Sequence, residues 1–66
     1  MAVTINGLIE KNVIGKTIEE LINMKKLEKK SLIVEYNYNI LKKENWDSTI
    51  IDDKDNIELL NFVGGG

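Results

Sequence analysis

The first residues of the chain alternate between apolar and polar side chains. Residues 3–5 read Val-Thr-Ile, and the dipeptide Asn6-Gly7 follows directly. Alternation with a period of two is typical of a β-strand, and Asn-Gly tolerates the positive φ angles of a type I′ turn. We therefore predict an N-terminal hairpin whose second strand spans residues 8–11 and from which the chain leaves through Gly15.

The next segment has the spacing of an amphipathic helix. Its apolar residues lie three and four positions apart: Ile18, Leu21 and Ile22. Thr17 and Glu20 complete the S/T-x-x-E pattern of a capping box, which marks the start of a helix. We predict a helix from about Lys16 to about Met24 or Leu27. Four lysines at or beyond its end are expected to be solvated: Lys25, Lys26, Lys29 and Lys30.

Strand-forming residues are concentrated in three later segments. Residues 32–36 predict a strand that is buried on at least one face, and residues 40–41 predict a short edge strand. We expect Trp46 to pack against the domain, because its ring can remove ~150 to 250 Å² of surface from water. A polar turn at residues 52–56 introduces a last strand over residues 57–63.

The order of these elements indicates the fold. Two strands, a helix, a strand, a short strand and a final strand can form a mixed sheet that curls around one helix, which is the β-grasp architecture of ubiquitin-like proteins. A right-handed crossover places the first and last strands side by side and parallel. We predict an α+β protein with a β-grasp domain at residues 1–63 and a flexible glycine tail at residues 64–66. The predicted core residues are Ile18, Leu21, Ile22, Val34, Ile57 and Leu59.

Alternation along the last strand assigns its side chains to two faces. Ile57 and Leu59 fall on the face that we expect to pack against the helix, whereas Glu58, Leu60 and Phe62 fall on the other. A chain of 66 residues has no second layer to cover that other face. We therefore predict that Leu60 and Phe62 bind partner proteins, with two scattered exposed side chains as the simpler alternative.

Composition removes several classes of function. The chain has no cysteine and no histidine, so disulfides, thiolate metal sites, cysteine nucleophiles and the commonest general base are excluded. The net charge of −2 argues against a nucleic-acid-binding protein. The acidic turn at residues 52–56 lacks the glycine and the length of a calcium loop, which favours a solvated turn over a cation site. No apolar run is long enough to span a membrane. We predict a cytoplasmic protein that is not an enzyme and has no metal or cofactor site of its own.

The chain ends in three consecutive glycines: Gly64, Gly65 and Gly66. A segment without side chains can thread a narrow channel and bring its terminal carboxylate to the reactive centre of another protein. A linker remnant has the same appearance, so the glycines alone are a weak signal.

Six short motifs extend over nearly the whole chain in a fixed order. They are V-T-I-N-G at 3–7, T-I-E-E-L-I at 17–22, V-E-Y-N at 34–37, I-L-K-K-x-x-W at 40–46, D-x-D-x-I-E at 53–58 and F-V-G-G-G at 62–66. As a set they resemble the ThiS family, the sulfur carriers of thiamin biosynthesis. The chain departs from the family pattern at Lys42-Lys43, where a Pro-Arg pair is common, and at Lys54, which replaces a turn glycine.

The resemblance implies a carrier cycle centred on the tail. An adenylyltransferase of the ThiF type would use ATP to adenylate the carboxylate of Gly66, and sulfur transfer would then give a C-terminal thiocarboxylate. A thiazole synthase of the ThiG type would receive the sulfur. The carboxylate of Gly66 is then the group that the partner enzymes modify. Those enzymes supply the catalytic groups and bind the ATP.

Two alternatives stay open at the level of the sequence. The small subunit of molybdopterin synthase resembles this chain in fold and Gly-Gly tail, although it is usually longer. A β-grasp binding module or protein modifier could use Leu60 and Phe62 without carrying sulfur. An intact mass discriminates the second alternative from a sulfur carrier, because a sulfur carrier gains mass when one oxygen becomes sulfur.

Overall fold

The computed structural model describes residues 2–61. This part of the chain contains five short strands and one helix. The elements are β1 (Val3–Ile5), β2 (Leu8–Glu10), α1 (Ile18–Met24), β3 (Leu32–Tyr36), β4 (Asn39–Leu41) and β5 (Asn56–Asn61). Single 3-10 turns lie at Lys29–Ser31 and Lys43–Asn45. Each predicted strand and the predicted helix are present, and the helix ends at Met24, the earlier of its two predicted ends. The predicted end of the last strand, residues 62–63, lies outside the described residues.

The five strands form one mixed sheet. Their order is β2-β1-β5-β3-β4, with β1 parallel to β5 and all other neighbours antiparallel. The helix α1 lies in the connection from the β1-β2 hairpin to β3. The predicted adjacency of the first and last strands is therefore confirmed. The predicted domain boundary at residue 63 lies outside the described residues.

The N-terminal hairpin turns at the predicted dipeptide. Asn6 has a φ of 50° and Gly7 a φ of 82°, and two positive angles are what a type I′ turn requires. Asn6 also fastens the hairpin to β5. Its Nδ2 donates a hydrogen bond to the carbonyl oxygen of Leu59 (3.2 Å), and its Oδ1 accepts one from the Leu59 N–H (2.7 Å). The sequence predicts the turn but not this second role.

The helix starts with the predicted capping box. The N–H of Glu20 donates to Oγ1 of Thr17 (3.1 Å), and the N–H of Thr17 donates to Oε1 of Glu20 (2.8 Å). Seven residues are too few for a stable isolated helix, so α1 depends on its buried face. That face consists of Ile18, Leu21 and Ile22. Within residues 2–61, no helix is both long enough and apolar enough to cross a membrane.

Two of the four lysines after the helix form ion pairs at the surface. Nζ of Lys25 lies 2.8 Å from Oε2 of Glu10, and Nζ of Lys29 lies 3.0 Å from Oε2 of Glu19. Both pairs are partly exposed, and such pairs contribute only ~0 to 1 kcal/mol. These lysines therefore belong to a solvated surface, as predicted.

The core lies between α1 and one face of the sheet. Its buried apolar residues are Val3, Ile5, Val13, Ile18, Leu21, Ile22, Leu32, Val34, Trp46, Ile51, Ile57 and Leu59. All six predicted core residues are among them. Trp46 is also buried as expected, and its Nε1 donates a hydrogen bond to the carbonyl oxygen of Leu41 (3.1 Å). Five core residues are absent from the predicted core. Val3, Ile5 and Leu32 lie on predicted strands, whereas Val13 and Ile51 lie in irregular segments without a periodic pattern.

Candidate functional site

The face of the sheet that points away from α1 carries a mixed apolar and acidic surface. Strand pairing places Ile33 opposite Leu60 and Glu35 opposite both Glu58 and Ile40. Residues that pair across strands point to the same face of a sheet. We call these five residues the open-face patch.

The apolar members of the open-face patch are accessible to a partner. Leu60 is 46% exposed and Ile40 is 65% exposed, while Ile33 is partly exposed. In contrast, Ile57 and Leu59, which alternate with Glu58 and Leu60 on β5, are buried in the core. The structure thus places Leu60 where strand alternation puts it. Its role in binding partners stays a prediction, and Phe62 lies outside the described residues.

The end of β5 is held firmly where the chain leads towards the glycines. Asn61 pairs with Leu32 of β3, and Oγ of Ser31 donates a hydrogen bond to Oδ1 of Asn61 (3.2 Å). On the other side of β5, Asn6 holds Leu59 through two hydrogen bonds. Gly64, Gly65 and Gly66 lie outside the described residues, so the functions assigned to them stay predictions. The described geometry fixes the point from which the last residues start.

A buried carboxylate fixes the opposite end of β5. Asp55 is the buried charged residue of the described part, at 8% exposed. It accepts hydrogen bonds from the hydroxyl of Tyr36, from Nδ2 of Asn37 (3.1 Å) and from the N–H of Asp52 (2.8 Å). Oδ1 of Asn37 accepts in turn from the N–H of Asn56 (2.8 Å). These bonds join the β3-β4 turn to the start of β5. They give a structural role to Tyr36 and Asn37 of the V-E-Y-N motif and to Asp55 of the D-x-D-x-I-E motif.

The pKa values of two groups in this network are shifted. Burial raises the pKa of Tyr36, and the hydrogen bond to Asp55 and the negative charge of Asp55 raise it further, to about 12. Burial by itself would raise the pKa of Asp55. The hydrogen bonds from Tyr36, Asp52 and Asn37 outweigh that effect and hold the pKa of Asp55 below its ordinary value.

These shifts predict how stability depends on pH. The folded state holds the Tyr36 proton more tightly than the unfolded state, so this contribution is complete below pH 10 and is lost as the pH rises towards about 12. The folded state holds the Asp55 proton less tightly than the unfolded state. Its contribution is therefore present above the ordinary carboxyl pKa of 3.8 and is lost as the pH falls below it.

The raised pKa of Tyr36 can be measured on one tyrosine. The chain has two tyrosines, so the variant Tyr38→Phe leaves Tyr36 as the only one. We expect its tyrosinate absorbance to titrate with a midpoint of about 12, and we expect Asp55→Asn in the same background to lower that midpoint because it removes the neighbouring charge. Fluorescence of the buried Trp46 identifies any pH at which the domain unfolds. A midpoint near 10 in the folded protein would contradict the Tyr36–Asp55 interaction.

The acidic turn before β5 uses its carboxylates within the fold. Oδ1 of Asp53 accepts a hydrogen bond from the N–H of Ala2 (2.7 Å), and Oδ1 of Asp52 accepts one from the N–H of Asp53 (2.8 Å). Among residues 2–61 there is no group of three or more Asp, Glu, His or Cys side chains that could hold a metal ion. Lys54 stands in the same turn with a φ of 70°, a left-handed conformation that explains why a glycine is common at this position of the motif.

The fold and comparisons with known proteins together identify the class of the protein. A mixed sheet in the order β2-β1-β5-β3-β4 with one crossover helix defines a ubiquitin-like β-grasp protein, as predicted. The model of the ThiS family matches residues 3–66, and the chain belongs to this family.

Solved structures and curated relatives agree with this assignment. The crystal structure of the thiamine biosynthesis protein ThiS from Geobacter metallireducens superimposes with a TM-score of 0.83 at 32% identity, over 100% of both chains. A solution structure of a thiamine biosynthesis protein from the same organism gives 0.78 at 32% identity, over 100% of this chain and 88% of that one. The sulfur carrier protein ThiS of Bacillus subtilis (strain 168) is 44% identical over 50 residues, which are 76% of each chain. An uncharacterized protein ycf40 of Trieres chinensis is 37% identical over 49 residues, which are 74% of this chain and 67% of that one.

The resemblance inferred from the six sequence motifs is therefore confirmed. ThiS is a sulfur carrier protein, so the chain belongs to a family of proteins that serve as substrates of other enzymes rather than as enzymes. The sequence interpretation missed three residues of the open-face patch: Ile33, Glu35 and Ile40. Alternation within β3 places Ile33 and Glu35 on one face, but only the pairing of β3 with β5 brings that face beside Leu60.

Proposed function

We propose that this chain carries sulfur for thiamin biosynthesis as a thiocarboxylate on Gly66. The observation that carries the proposal is the extent of the family match, which continues through residue 66 and includes all three glycines. The names of the Bacillus and Geobacter relatives support the thiamin pathway over the molybdopterin pathway. The cytoplasmic location stays a prediction.

The proposed chemistry starts from an unreactive carboxylate. An oxygen of the Gly66 carboxylate attacks the α-phosphorus of ATP, pyrophosphate leaves, and an acyl adenylate forms. A donor that delivers sulfur at the oxidation level of hydrosulfide then attacks the acyl carbon, and AMP leaves. The product is a thiocarboxylate whose sulfur is a better nucleophile than the original oxygen. The ATP and the catalytic groups belong to the partners, a ThiF-type adenylyltransferase and, for the consuming step, a ThiG-type thiazole synthase.

The domain contributes by presenting the tail at a fixed place. β5 is anchored up to Asn61, and the five residues from 62 to 66 span at most ~18 Å when fully extended. A partner that grips the fold close to Asn61 can therefore receive the carboxylate in its active site. Leu60 lies next to this point and is exposed, which supports Leu60 and Phe62 as partner-binding residues.

Adenylation by the organism's own ThiF-type enzyme tests the proposal. Because the first step is reversible, we expect the enzyme to exchange labelled pyrophosphate into ATP only when this chain is present. No exchange above that of the enzyme alone would contradict the proposal.

The docking role of Leu60 and Phe62 gives a separate prediction. We expect Leu60→Ala and Phe62→Ala each to raise the KM for the carrier roughly tenfold, because a few well-packed residues near the centre of an interface contribute most of its affinity. The melting temperature of Leu60→Ala should change little, since nearly half of the side chain is already in water.

Leu8→Ala is the matched control for this prediction. Leu8 is 69% exposed, and its pairing with the core residue Ile5 places it on the opposite face of the sheet. Kinetics beside a denaturant melt separate binding from stability. A Phe62→Ala protein that unfolds easily but has a normal KM when folded would assign Phe62 to the core instead.

A further inference from the structure

Two carboxylates face each other in the middle of the open-face patch. Glu35 of β3 pairs directly with Glu58 of β5, so their Cβ atoms are separated by ~4.5 to 5.5 Å. Both residues are partly exposed. Within residues 2–61 neither side chain forms a salt bridge, since the ion pairs there join Lys25 to Glu10 and Lys29 to Glu19.

This arrangement is unfavourable for the isolated domain. Like charges that lie directly opposite on neighbouring strands repel each other. Their neighbours on the open face include the apolar side chains of Ile33, Ile40 and Leu60, which offer no counter-charge, and Asn56, two positions before Glu58 on β5, is uncharged. Lys42 follows β4 directly but forms no ion pair with either glutamate. The pair is therefore a local concentration of negative charge beside apolar side chains that are at least partly exposed.

A cation supplied from outside would remove this repulsion. An arginine suits the site best, because its guanidinium carries five donors in a planar fork that can bind two carboxylates at once. A second copy of this chain is a poor occupant, since the same face of that copy presents the same two negative charges. The complementary surface is a basic side chain flanked by apolar ones.

We propose that Glu35 and Glu58 together bind one basic side chain of the activating adenylyltransferase, while Ile33, Ile40 and Leu60 contact the apolar residues around it. This inference rests on the proposed function, because it names the recognition chemistry of the same encounter. The glutamates select the partner and its orientation, and the apolar residues exclude water from the ion pair.

The test uses Glu35→Gln and Glu58→Gln with the organism's ThiF-type adenylyltransferase as the probe. Each substitution should raise the KM for the carrier roughly tenfold and leave kcat within about twofold, because the charge acts in docking. Each should also raise the melting temperature of the free carrier, because the repulsion is gone. For the wild type, KM should increase as salt is raised from about 0.05 to about 0.5 M, and this increase should be smaller in both variants.

Glu44→Gln is the matched control. It changes the net charge by the same amount, but Glu44 is exposed in the Lys43–Asn45 turn and lies outside the sheet. We expect a wild-type KM for this variant. An equal rise in KM for all three variants would show that net charge alone governs the encounter and would overturn the inference.

Three further results would contradict the inference, and only the last of them would also contradict the proposed function. If the wild type is adenylated and the two Gln variants keep its KM, the inference is wrong and the proposed function stands. If the Gln variants melt at lower temperature than the wild type, the pair has a structural role and the inference is wrong. If the wild type supports no adenylation at all, the proposed function fails, and this inference fails with it.

Discussion

Deleting Gly65 and Gly66 should abolish adenylation while the domain unfolds at nearly the same temperature as before. The carboxylate would then lie on Gly64, two residues closer to the fold, and could no longer reach the α-phosphate of ATP in the partner. The core residues of the described part lie between Val3 and Leu59, so the deletion leaves all of them in place. Pyrophosphate exchange measures the first effect and a thermal melt measures the second.

A chain with a C-terminal amide on Gly66 is the control for this deletion. It keeps every residue of the tail but lacks the charged oxygen that attacks ATP. We expect it to bind the adenylyltransferase as a competitive inhibitor and to support no exchange. Adenylation of either the truncated or the amidated chain would show that Gly66 is not the modified position.

Leu21→Ala should lower the free energy of unfolding by ~2 to 5 kcal/mol, because it removes a fully buried side chain and leaves a cavity. Leu21 is 0% exposed on the face of α1 that packs against the sheet. A domain of this length has a total stability of only about 3 to 10 kcal/mol. A large fraction of the variant is therefore expected to be unfolded at moderate denaturant concentrations that leave the wild type folded.

Met24→Ala on the same helix is the comparison for Leu21→Ala. Met24 is 51% exposed and ends α1, so its truncation should change the free energy of unfolding by less than about 1 kcal/mol. Urea melts followed by Trp46 fluorescence measure both variants. Equal effects of the two substitutions would mean that the buried face of the helix has been assigned incorrectly.

The parts of the fold that depend on residues close together in the sequence could be predicted from the sequence. The type I′ turn follows from Asn6-Gly7, and the helix start follows from the capping box between Thr17 and Glu20. These features involve hydrogen bonds and φ angles within a few residues. The buried network of Asp55 could not be predicted in the same way, because its donor Tyr36 lies 19 residues away in sequence.

The candidate site was predictable only in part for the same reason. Alternation along β5 is a local pattern and places Leu60 on the uncovered face. The pairing of Glu35 with Glu58 requires the register between β3 and β5, two strands that are separated by β4 and a long irregular segment. Contacts that depend on such a register are identified only in the folded structure.

The mass of the C-terminal fragment tests the central claim most directly. The carrier is incubated with the adenylyltransferase, ATP and a sulfur donor, and the fragment that contains residues 62–66 is then released and weighed. Replacement of one oxygen by sulfur adds ~16 Da, and oxidation of Met1 or Met24 adds about the same to the intact chain. The fragment contains no methionine, so only the thiocarboxylate can raise its mass. We predict this rise on Gly66, and an unchanged fragment from a chain that has been adenylated would contradict the sulfur-carrier function.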